Sequence, residues 1–137
     1  MGCNIHGFIE VLEYPDSEND KWWEVHEIPY TRNYRFYAAL AGVRNGVNIK
    51  PISEPKGMPV DASMMSRVEA EEMEGDAHTH SWLTYKEIKE YDWMQDIGDG
   101  LLIDNIHIHF KSLINEMRFL ANHYGDEGVR VVFWFDN

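Results

Sequence analysis

The chain has 137 residues, 44% of them hydrophobic and 26% charged, which suits one folded domain and excludes a disordered chain. Its 24 acidic residues outnumber 12 basic ones, and the resulting net charge of −12 repels phosphate backbones and disfavours DNA or RNA as a partner. The single cysteine, Cys3, excludes an internal disulfide, and no apolar run nears the ~20 residues that span a bilayer, so no membrane partner is expected.

Cys3 to Tyr14 (CNIHGFIEVLEY) reads as a strand with Cys3, Ile5, Gly7, Ile9 and Val11 on one face. Asn4, His6, Phe8, Glu10 and Leu12 fall on the other. The composition of PDSEND, residues 15–20, is that of a turn, and Lys21 to Ile28 is a second strand, so the two make a hairpin. Thr31 offers an N-cap to a helix running to about Val43. From Arg44 to Pro59 the chain carries three of its five prolines, an irregular loop of the kind that often serves as a lid. A short helix over Asp61 to Met73 and a strand over His78 to Leu83 follow. Thr84 and Glu87 have the spacing of a capping box that opens a helix through Tyr91. Over Asp104 to Tyr124, Ile106, Phe110, Leu113, Met117 and Ala121 form one apolar stripe, and Gly125 is placed to end that helix. Val129 to Asp136 alternates as a strand, with Phe133 and Phe135 opposite Trp134 and Asp136. The expected fold is therefore α+β, a single domain over residues 1–137. It has a mainly antiparallel sheet of about four strands, two to four packed helices and a long Pro-rich loop.

The stretch GDAHTHSWLT, residues 75–84, carries the densest chemistry. On a regular strand His78, His80 and Trp82 share a face, with alternate residues roughly 6.6–7 Å apart, so both imidazoles could meet one ion. Further ligands would come from His6 and Asp76. DAHTHS is similar to the first motif of the polymerase-and-histidinol-phosphatase family over those six residues only, and that family's barrel is far longer than this chain. His107 and His109, at 100° per helical residue, point about 200° apart and flank the apolar stripe. Cys3 falls opposite His6, as a small buried hydrophobe would, and no nucleophile elbow, phosphate-binding glycine loop or dinucleotide fingerprint is present. Arg32, Arg35, Arg44 and Lys56 cluster against the acidic background, amid five Trp, seven Tyr and six Phe. Arginine forks onto phosphate and aromatic faces stack on bases, which would suit a small anionic, nucleotide-like ligand. Core aromatics and arginines paired with surface carboxylates are the plainer alternative, as a solvated helix end is for the acidic run EAEEMEGD at 69–76.

The opening MGCNIH, the middle FYAALAGVRNG followed by HSWLT, and the ending VRVVFWFDN together resemble a family of small proteins of tailed phages and prophages. Members open MGCDIH and end VFWFDN, and Asn4 stands where that pattern has Asp, which would weaken any metal ligand there. The resemblance implies an accessory phage protein of the infected host's cytoplasm that evades host defence. The expected function is binding of a nucleotide-type ligand or signal by Asn4, His6, Arg35, Arg44, His78, His80, Trp82, Trp134 and Asp136, with no cofactor. One alternative is a small metal-dependent phosphoester hydrolase with a divalent ion on His6, Asp76, His78 and His80. A second is an acidic inhibitor of a host protein. Whether chemistry occurs, and whether the chain forms a homo-oligomer, is left open.

Overall fold

The computed structural model describes residues 2–13 and 21–137. The turn expected at 15–20, and Tyr14 before it, lie outside the described residues. Four strands, β1 (Asn4–Glu13), β2 (Lys21–Glu27), β3 (Ala77–Thr84) and β4 (Val129–Asp136), form one sheet in the order β2-β1-β4-β3. Every neighbouring pair is antiparallel. The helices are α1 (Tyr34–Ala41), α2 (Met64–Glu72), α3 (Tyr85–Glu90) and α4 (Ile108–Tyr124), and a 3-10 turn covers Leu102–Asn105. The molecule is thus an α+β fold. No helix among the described residues is long and apolar enough to cross a membrane.

The sheet is covered on both faces. Ile5, Ile9 and Val11 of β1 and Val129, Val131, Phe133 and Phe135 of β4 enter one core with α1, α3 and α4. Phe110 of α4 stacks on Phe36 at 4.3 Å between ring centroids, and Tyr37 of α1 meets Phe135 at 5.1 Å. The other face is closed by α2 and the chain leading into it. There Ser63 N–H and Ser66 Oγ donate to Glu10, and Trp134 Nε1 donates to the Met73 sulfur. Gly7 allows β1 and β4 to close at the centre of the sheet, since a Cβ at this residue would stand 1.9 Å from the Val132 carbonyl oxygen.

Several boundaries move for local reasons. Asn33, not Thr31, precedes α1, and it lacks a side-chain cap bond; the Thr31 hydroxyl instead meets His109 Nδ1 at 2.7 Å. Gly42 closes α1 in the left-handed conformation (φ 75°), and residues 42–63 then run without helix or strand. The helix expected from Asp104 is divided, because His107 adopts extended backbone and caps α4: its Nδ1 accepts from His109 N–H at 3.0 Å. The two imidazoles therefore meet, 4.5 Å apart, and do not flank the stripe on opposite sides. The stripe itself holds, with Phe110, Leu113, Met117 and Ala121 buried. The capping box of Thr84 and Glu87 is present in full.

Candidate functional site at the open end of the sheet

β1 begins where β4 ends, and their register sets Asn4 opposite Asp136 and His6 opposite Trp134. Directly opposed residues share a face, so Asn4, His6, Trp134 and Asp136 come together as their alternation implied. His6 Nε2 lies 2.7 Å from Asp136 Oδ2, and Asp136 Oδ1 accepts from both the backbone N–H and the side-chain Nδ2 of Asn4. Burial works to raise the Asp136 pKa, but the bonds from His6 and Asn4 outweigh it and hold the carboxyl below its ordinary value. The carboxylate is therefore ionised at neutral pH and orients the imidazole, the arrangement from which a histidine acts as a general base.

Two arginines reach the same end. Arg32 Nε donates to Asn4 Oδ1 at 2.9 Å, and Gly2 packs under that guanidinium so closely that a Cβ would stand 2.2 Å from Nη1. Arg44 lies 5.2 Å from the Tyr34 ring and hydrogen-bonds the Cys3 thiol. Burial pushes the Cys3 pKa up despite both arginines, so this is an inert buried thiol rather than a nucleophile. The Tyr30 ring, 78% exposed, sits 6.4 Å from His6 and offers a flat apolar surface at the rim. Asp76 joins Asp136, Met73 and Asn137 around a hollow of about 300 Å³.

The other expected residues are distributed differently. Between His78 and Ser81 the pairing of β3 with β4 slips by a residue, and Thr79 takes a left-handed backbone (φ 56°) that β-branched residues rarely adopt. His78 pairs with Phe135 and stacks on it at 6.1 Å on the core side, whereas His80 stacks on Trp134 at 6.0 Å on the α2 side. The bulge thus sends the two histidines to opposite faces, correcting the expectation that they share one with Trp82. His80 and Trp82 remain together. Burial first, and His78 second, lower the His80 pKa. The expected ligand set His6, Asp76, His78 and His80 is not gathered, and no group of three or more His, Cys, Asp and Glu among the described residues is placed to hold a metal ion. Trp134 is fully buried beneath Met73, so it supports the site from below and cannot stack on a ligand. Arg35 lies instead beside Gly46 in the loop after α1.

Trp82 belongs to a groove of about 860 Å³ further along the same face. Its floor is Arg130, whose guanidinium lies 3.8 Å from the Trp22 ring and 5.6 Å from that of Trp82, while Lys56 Nζ sits 3.9 Å over Trp82. The cations here already have partners: Lys56 pairs with Glu87, Lys86 with Glu127, and Arg130 with Glu10 and Asp61. That makes the groove a poor anion site. Sequence reasoning placed Arg32 in the basic cluster but passed over Trp22 and Arg130 as site residues. The signal available for Arg130 was a charge inside an otherwise apolar β-run.

Comparison with protein-family models, with curated proteins and with solved structures finds no match for this chain.

Proposed function

We propose that the protein binds a small anionic ligand of nucleotide type at the open end of the sheet. The phosphate would be forked by Arg32 and Arg44, and the planar ring laid on Tyr30. The observation that carries this reading is the approach of both guanidinium groups to one sheet end in a chain of net charge −12: Arg32 is bonded to Asn4, and Arg44 lies 5.2 Å from the ring of Tyr34, whose hydroxyl accepts from Cys3 N–H. Cations concentrated at one place on an acidic surface offer a local reversal of field that would draw an anion in. On the resemblance to phage proteins, holding such a ligand would serve to evade host defence in the infected cell's cytoplasm. Titration calorimetry with a panel of nucleoside monophosphates, diphosphates and cyclic nucleotides tests it. Arg32→Lys and Arg44→Lys should each weaken binding by about tenfold or more, because a point charge cannot reproduce the bidentate fork. Arg35→Lys, beside Gly46, should bind as the parent does. Heat from no member of the panel, or equal loss in all three variants, would overturn the reading.

A second reading rests on the 2.7 Å pair of His6 and Asp136. A histidine so oriented could take a proton from water attacking a phosphoester at the same place. Chromatography of ligand released from the protein separates the two: an intact ligand supports binding alone, and cleavage products abolished by His6→Gln support hydrolysis.

A further inference from the structure

Helix α2 is built the wrong way round for a helix that packs on a sheet. Its inward side is small and polar: Ser63 at the N-cap and Ser66 are buried, and both donate to Glu10. Its large apolar side chains point out. Met64 is 66% exposed and Val68, one turn on, 41%; Met65 is exposed beside them, and Val60 just before the helix is fully exposed. The apolar face therefore contributes little to this chain's own core, and contiguous exposed apolar surface of this kind marks an interaction site. Methionine suits such a surface because its flexible, polarisable side chain adapts to different partners. A groove of about 440 Å³ opens alongside Met64 and could take an anchoring side chain; Leu12, Trp22 and Ala62 line it together with Asp61 and the basic Lys21 and Arg67.

The charge around this face selects the occupant. Glu71, Glu72 and Glu74 are exposed at its C-terminal end and Glu69 beside them is half-buried, whereas Asp61 at the other end is exposed but already paired with Arg130; Arg67 is the only base on the helix. Burial, followed by the nearby Glu27 and Glu72, raises the Glu69 pKa. A second copy of this chain would bring another −12 against these carboxylates, and an anionic lipid surface would be repelled in the same way. We propose that the outer face of α2 docks a positively charged amphipathic segment of a partner protein. Apolar side chains of the segment would sit on Met64, Met65 and Val68, and its Lys or Arg residues would meet the acidic rim. This is helix-in-groove recognition, in which apolar anchors give affinity and the rim sets register.

The probe is a fluorescein-labelled amphipathic peptide of Leu and Lys, roughly four helical turns long, with a Leu/Glu peptide of the same pattern as its counterpart. Fluorescence anisotropy should show saturable binding of the Leu/Lys peptide and none of the Leu/Glu one. The double variant Met64→Ser/Val68→Ser keeps every charge and should weaken binding by about tenfold or more. Phe119→Ser removes an apolar side chain of comparable exposure on α4 and should leave it unchanged. Circular dichroism of both variants confirms that they fold. Equal binding by the parent and the double variant would reduce the effect to bulk charge attraction and overturn the proposal. So would a concentration-dependent dimer in sedimentation that the double variant loses, which would make the occupant a second copy.

Discussion

The pair of Glu10 and Arg130 ties the two layers of the molecule together, and replacing Arg130 by Met should show how strongly. Arg130 is 3% exposed and Glu10 fully buried, and they are directly opposed on β1 and β4. Arg130 Nε and Nη2 donate to Glu10 Oε1 at 2.8 and 2.7 Å, while Ser63 N–H and Ser66 Oγ donate to Oε2. Arg130→Met takes two charge-assisted bonds from a carboxylate that water does not reach. Each is worth about 1.5–3 kcal/mol, and the exposed Asp61 partner adds at most about 1 kcal/mol. An expected loss of about 3–5 kcal/mol agrees with the cost of orphaning one member of a buried pair, and it is a large part of a total of about 5–15 kcal/mol. Urea denaturation followed by tryptophan fluorescence measures it. The mechanism is tested by adding Glu10→Gln to the Arg130→Met chain: the amide oxygen can still accept from Ser63 and Ser66, but the stranded charge is gone. That second change should return about 2 kcal/mol. If Arg130→Met costs less than about 1 kcal/mol, or Glu10→Gln restores nothing in its presence, the pair is hydrated and the account of how α2 is held fails.

Three further outcomes are expected. His107→Ala removes the cap of α4 and should cost about 1 kcal/mol in thermal or chemical denaturation; no loss would show that the His107–His109 bond is not holding the helix start. His80 has a pKa below its ordinary 6.5, so the folded state binds fewer protons than the unfolded one, and the stability present above pH 6.5 should fall as the pH drops below it. His80→Phe should flatten that slope between pH 7 and pH 5, and an unchanged slope would assign it to other groups. Removing residues 133–137 deletes three fully buried aromatics, each worth about 1.5–3 kcal/mol, and should leave the chain unfolded or insoluble; a soluble chain ending at Val132 with a cooperative melt would refute this.

The parts of the fold that were legible in the sequence are those set by short-range periodicity. β1 and β4 alternate cleanly enough to assign faces, the α4 stripe recurs turn by turn from Phe110 to Ala121, and the Thr84–Glu87 box fits inside one helical turn. The alternation put His6 and Asp136 each on one face of its own strand; it is the register of β1 with β4 from Asn4 to Val11 that brings those faces together. What failed was phase. A single left-handed residue, Thr79, puts His78 and His80 on opposite faces, and nothing in HTH announces it, since Thr is among the residues least suited to that backbone. His107 failed likewise: extending the helical pattern back to Asp104, four residues before α4 begins at Ile108, turned two touching rings into opposed ones.

The Thr79 bulge also explains why the face under α2 can be assembled at all. Were β3 regular, His78 and His80 would lie on the same side as each other, and one of them would lose its aromatic neighbour on β4. With the extra residue, His78 stacks on Phe135 within the helical core while His80 and Trp82 stay on the α2 side. Trp134 is then flanked by His6 at 6.4 Å and His80 at 6.0 Å, with rings inclined by 21° and 19°, and capped by Met73. A left-handed β-branched residue costs on the order of 1–3 kcal/mol, which is offset by filling both layers with ring contacts that a straight strand could supply to only one. The row His6–Trp134–His80 therefore joins the Asp136 end of the sheet to the underside of α2.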